Sequence, residues 1–117
     1  MPIIDVTCAA RVSRGAKEEL ARTLPHSVSV AVECPEEPYD GDLQGGDVIL
    51  RFHDASPIDL FDLDVLIEVK SKWFASRAGD RQRRADDILR RTQDVLPDDH
   101  HVGVYLALPV AAWAEPD

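Results

Sequence analysis

The stretch "SRGAKEELARTLPHSVSVAVE", Ser13 to Glu33, decides the fold. Its first part has helical composition. Ser13 suits an N-cap, and Lys17-Glu18-Glu19-Leu20-Ala21 are good helix formers. Pro25 interrupts the pattern. Ser27-Val28-Ser29-Val30-Ala31-Val32-Glu33 then alternates with period two, as a half-buried strand does. The same residues also read as the second part of one long, kinked helix from about Ser13 to Glu33. As a helix, the stretch leaves Val48-Ile49-Leu50-Arg51-Phe52 to be the next strand.

An internal echo favours the helix. At a spacing of 63 residues, Ile4-Asp5-Val6 meets Ile67-Glu68-Val69, and Ser13-Arg14 meets Ser76-Arg77. After Ser76-Arg77 the chain reads "AGDRQRRADDILRRTQDVL", its best helix, with Asp80–Arg84, Asp86–Arg90 and Asp87–Arg91 spaced for i,i+4 pairs and Pro97 as its stop. A matching first helix runs through Pro25 to about Glu33. Ile3 to Cys8, "VILRFHD", "LDVLIEVKSKW" and "HHVGVYLAL" read as strands. "CPEEPYDGDLQGGD" and "ASPIDLFD" read as loops. The expected fold is α/β (α+β), a single domain over 1–117. Two tandem βαβ repeats, about 2–54 and 63–108, give a four-stranded mixed sheet with two helices on one face, and 109–117 form a tail.

The totals narrow the function. A net charge of −9 excludes general binding to nucleic acid or anionic membranes, which needs a basic surface. A few converging arginines can still hold a small anionic carboxylate. No run approaches the roughly 18 apolar residues of a membrane span, and no signal peptide is evident. Two cysteines, Cys8 and Cys34, make no disulfide framework, so a cytoplasmic setting is expected.

Pro2 has two readings. A strand's first residue needs no ladder N–H, so proline is tolerated there. Alternatively, Met1 is removed and Pro2 carries a free secondary amine, able to act as acid, base or nucleophile.

Duplication, element order and Pro2 together resemble the tautomerase superfamily over nearly the whole chain. "MPIIDVTC" resembles the start of 4-oxalocrotonate tautomerase and of 5-carboxymethyl-2-hydroxymuconate isomerase. "RFHDASPIDLFDLDVLIEVKSKWFASRAGDRQRRADDIL" is similar in spacing to the isomerase's middle. "VYLALPVAAWAE" resembles the C-terminal strand and tail of the cis-3-chloroacrylic acid dehalogenase group. The resemblance implies a homotrimer, no cofactor and no metal. It also implies that the Pro2 amine sits in an apolar, cation-flanked site and moves a proton in a small unsaturated 2-hydroxy or 2-keto carboxylic acid. Arg77 corresponds to the arginine opening the second helix, and Tyr105 and Glu115 to the dehalogenase's water-handling pair. Arg11 by spacing, or Arg14 by the internal repeat, corresponds to a first-turn substrate arginine. Arg51 is near the mid-chain one, with its register off by about two residues. Phe74 stands where the dehalogenases have another arginine, which weighs against their chemistry. Dehalogenase, hydratase or decarboxylase activity through Pro2, Tyr105 and Glu115 is one alternative. A non-catalytic trimeric scaffold is another.

The remaining conspicuous residues have plainer readings. His53 reads as a strand-end residue, and Asp98-Asp99-His100-His101 has no second cluster with which to bind metal. Arg81, Arg83, Arg84, Arg90 and Arg91 read as a solvated helix face neutralised by aspartates. Trp73 and Trp113 read as packing or interface residues.

Overall fold

Alternation builds the sheet. In β1 (Ile3–Cys8), Ile4, Val6 and Cys8 are buried while Ile3, Asp5 and Thr7 face the other way. In β3 (Val65–Lys70), Val65, Ile67 and Val69 are buried in the same manner. A computed structural model describing Met1–Asp117 completes the order with α1 (Arg14–Val32), β2 (Ile49–Asp54), the single turn α2 (Ala75–Ala78), α3 (Arg81–Gln93) and β4 (Val102–Ala107). The sheet order is β2-β1-β3-β4. β1 pairs parallel with β2, β3 pairs parallel with β4, and the two halves meet antiparallel at β1 and β3. This is the expected four-stranded mixed sheet with its helices on one face.

The deciding stretch is helical through Pro25. Leu20, Leu24, Val28 and Ala31 are buried at spacings of four, four and three, so a helical stripe underlies the period-two alternation. The hydroxyls of Ser27 and Ser29 are small enough for this face to lie close to the core. Burial against the sheet overrides the β-branched preference of Val28, Val30 and Val32. Ser13 caps the start, its Oγ accepting from the Ala16 N–H at 3.0 Å.

The end of α1 has no glycine and no basic residue of its own, and its carbonyls need partners. Two arginines from the second repeat supply them. Arg77 Nε donates to the Val32 carbonyl at 2.6 Å, and Arg84 Nη1 donates to the carbonyls of Ala31 at 3.0 Å and Glu33 at 2.5 Å. Their charges also suit the negative end of the helix dipole. Arg84 is therefore buried rather than on a solvated face, and Asp80 holds it from behind at 2.6 Å.

The second helix is not one piece. It breaks at Gly79-Asp80, and the Asp80 carboxylate at the start of α3 accepts from Arg83 and Arg84. Asp87 pairs with Arg91 as the spacing suggests. Arg90 also pairs with Asp87, while Asp86 accepts from Gln82.

Candidate functional site

Three chain ends converge at one edge of the core. Pro2 enters β1 with its carbonyl accepting from the Ile49 N–H at 3.1 Å, beside Ser71 at the exit of β3 and Val32 at the end of α1. Loop 33–47 covers them. Together they line a half-open cavity of about 550 Å³ bordered by Met1, Pro2, Ser29, Ser71 and Arg77.

The loop is shaped locally. Pro35 lies in a tight turn, in which Cys34 and Glu37 exchange backbone hydrogen bonds of 3.2 and 3.0 Å. The turn sends Glu37 back toward Arg77, whose Nη1 donates to Glu37 Oε1 at 3.0 Å. Tyr39 OH meets His26 Nδ1 at 3.0 Å, tying the loop to α1. Ser76 Oγ donates to Glu36 at 2.7 Å, and this bond holds the Glu36 carboxyl below its usual range. Gly46 has φ of +94°, a conformation that side chains resist, and it lets the loop close over the cavity.

Arg77 is 2% exposed and its groups can be counted. Nε is bonded to Val32. Nη1 donates to the Lys72 carbonyl at 2.6 Å and to Glu37, and Nη2 has no partner in the chain. Ser71 is also 2% exposed, and its Oγ is the one buried side-chain polar atom with no hydrogen-bond partner. A buried hydroxyl without a partner is costly unless something else bonds it. The Met1 ammonium lies 3.8 Å from Glu37 Oε2, so the chain's amine and a carboxylate share the cavity.

The wall differs in sign from the apolar, cation-flanked site that the sequence resemblance implies. Glu33, Glu37, Asp40, Asp42 and Asp47 line it, with Arg77 as its one basic side chain. Such a cavity can receive a small polar molecule. It can offer hydrogen bonds from Arg77 Nη2 and, once Met1 is gone, a proton-accepting nitrogen on Pro2.

Of the residues named from sequence, the structure brings Pro2 and Arg77 together within one chain. The other five lie elsewhere. Arg11 clamps the opposite end of β1, donating from Nη2 to Asp64 at 2.8 Å and to the Asp99 carbonyl at 2.7 Å. Arg14 is exposed and pairs with Glu18 at 2.9 Å. Arg51 stands on the helix-free face of the sheet, 3.0 Å from Asp5, which also accepts from His53 at 2.8 Å. Tyr105 is on that same face, 66% exposed, and Glu115 is in the exposed tail. Burial pushes the Cys8 thiol up, away from nucleophilic use. Ser71 and Glu37 carry no signal in the sequence. One follows a strand and the other sits in an acidic loop, and only folding joins them.

No protein-family model matches the sequence, and no curated protein does. Solved structures do match. A macrophage migration inhibitory factor-like protein from Entamoeba histolytica is 12% identical, with a TM-score of 0.61 over 98% of this chain and 95% of that one. N1, a member of the cis-3-chloroacrylic acid dehalogenase family, is 19% identical, with a TM-score of 0.59 over 92% of this chain and 74% of that one. A fused 4-OT symmetric trimer is 13% identical, with a TM-score of 0.59 over 92% of this chain and 85% of that one. At these identities the likeness is one of architecture: the chain has the fold of the tautomerase superfamily.

Proposed function

We propose that this chain, after loss of Met1, is a proline-dependent tautomerase. Its Pro2 amine moves a proton between carbon and oxygen positions of a small 2-keto or 2-hydroxy unsaturated acid. The supporting observation is that Pro2 lines the same cavity as Arg77, whose Nη2 has no partner in the chain. In the proposed step, the Pro2 nitrogen takes a proton from the carbon beside the carbonyl. The electrons of the broken C–H bond form the enol double bond, and the carbonyl oxygen takes the charge. Arg77 Nη2–H donates to that oxygen, or to the substrate's carboxylate. The proton then returns from Pro2 to another atom of the conjugated system. The assembly is a homotrimer in this reading, supported by the trimeric state of one similar structure.

The direct test is mass spectrometry of the N-terminal peptide after brief exposure to neutral iodoacetamide. The expected product lacks Met1 and carries one carbamidomethyl group on Pro2, forming faster as pH rises. A peptide that retains Met1, or a Met-free peptide left unlabelled, would overturn the mechanism in favour of a scaffold.

A further inference from the structure

Arg77 has fewer ways to hold a ligand than a free arginine has. A carboxylate is gripped best by two parallel N–H groups, either Nη1 with Nη2 or Nε with Nη2. Here Nε gives its hydrogen to the Val32 carbonyl at 2.6 Å. Nη1 gives both of its own, to the Lys72 carbonyl at 2.6 Å and to Glu37 Oε1 at 3.0 Å. Both forks are therefore broken, and Nη2 alone remains. The guanidinium is not free to turn and remake one. It is 2% exposed, held by those bonds, and covered by the Phe74 ring, whose centroid lies 5.4 Å from Cζ.

Nη2 is nonetheless reachable. Ser71 Oγ is the one sealed side-chain atom without a partner, so the unpartnered Nη2 opens on the cavity that Arg77 and Pro2 both line. Charge points the same way as geometry. Glu37 already pairs with this guanidinium, the one basic side chain of the cavity. A carboxylate on Nη2 would sit beside the Glu37 carboxylate on an arginine whose charge is already matched. A single oxygen that gains charge only during the reaction suits Nη2 better.

We infer that Arg77 receives the substrate's carbonyl oxygen and not its carboxylate, so the cavity makes no demand for an acid. An enolisable 2-keto ester is then as good a substrate as the 2-keto acid. This rests on the tautomerase reading of Pro2 and widens its substrate class to uncharged carbonyl compounds. As the Pro2 nitrogen takes the proton from the carbon beside the carbonyl, the C–H electrons form the enol double bond. The carbonyl oxygen gains the charge, and Nη2–H meets it there. Glu37 is the specificity-determining residue, because it occupies the nitrogen with which Nη2 would otherwise grip an acid.

The test follows deuterium exchange at the carbon beside the carbonyl by proton NMR, for 2-oxobutyrate and its methyl ester, on the Met-free chain. Each rate is divided by the buffer-catalysed rate of the same compound. The expected acid-to-ester ratio is at most about threefold, below the roughly tenfold or more that a charge-assisted fork confers. Glu37→Met frees an Nη1 hydrogen and removes the competing charge, so the ratio should then rise about tenfold toward the acid. Changes in the Pro2 amine cancel in the ratio, because both compounds meet the same base. A parent ratio above about threefold, or a ratio unmoved in Glu37→Met, would overturn the role of Arg77 and leave the tautomerase reading standing. Exchange accelerated for neither compound would overturn the tautomerase reading itself, and the inference with it.

Discussion

Arg77 and Ser71 sit together and have opposite mutational signatures. Arg77 bonds two backbone carbonyls and one carboxylate, so Arg77→Met strands all three. A loss of about 3 kcal/mol in urea unfolding is expected, because orphaned buried acceptors keep their desolvation cost. Ser71→Ala removes a hydroxyl that bonds nothing in the protein. Stability should stay within about 0.5 kcal/mol of the parent or rise. Arg77→Met should also lower turnover of an enolisable substrate about tenfold or more, through loss of the Nη2 donor, while Ser71→Ala leaves turnover unchanged because the buried oxygen meets no substrate atom. A fall in turnover in Ser71→Ala would bring that hydroxyl into the site.

At the scale of elements, the clamp at the far end of β1 governs the response to acid. Arg11 grips Asp64 and the Asp99 backbone, which ties the turn after β1 to the entries of β3 and β4. The Arg11 guanidinium, helped by the His101 N–H, holds the Asp64 carboxyl well below the usual range. A carboxyl depressed in the folded state stabilises fully above its unfolded value, about 3.9, and loses that stabilisation as pH falls toward the folded value. The urea midpoint should therefore drop below about pH 4. It should drop less in Asp64→Asn, whose side chain does not titrate. Equal slopes for the two proteins would remove Asp64 from the acid response.

For the whole molecule, the helix-free face of the sheet raises the question of assembly. Across it the register aligns Arg51, Asp5, Glu68 and Tyr105, one from each strand. Asp5 is held below its usual carboxyl range, first by the His53 hydrogen bond and then by Arg51. With Tyr105 largely exposed and Trp73 and Trp113 also at the surface, the single chain leaves apolar area uncovered. Under the trimer reading, sedimentation equilibrium should give three times the 13.0 kDa of one chain. Tyr105→Asp should lower that mass toward the monomer by placing a carboxylate next to Glu68. A monomer at all concentrations would exclude the trimer.

Much of the architecture was legible in the residues themselves. β-Branched residues marked β1, a nearly continuous apolar start marked β3, composition marked the helices, and the echo between Ile4-Asp5-Val6 and Ile67-Glu68-Val69 marked the duplication. These are local patterns, set by side-chain period and propensity. The segment from Ser27 to Glu33 was ambiguous because its alternation and its helical stripe use the same residues. Packing on the sheet resolved it. Arg84 was misread as solvated because its partners, the carbonyls of Ala31 and Glu33, lie about fifty residues away in the chain, at separations of 53 and 51. The candidate site was less legible. Pro2 was conspicuous, and Arg77 was marked by the repeat. The Ser71 hydroxyl and the sign of the wall exist only where the end of α1, the exit of β3 and loop 33–47 meet. Local sequence determined which elements form; the tertiary structure decided which charges surround the amine, because electrostatic environment depends on distance in space rather than along the chain.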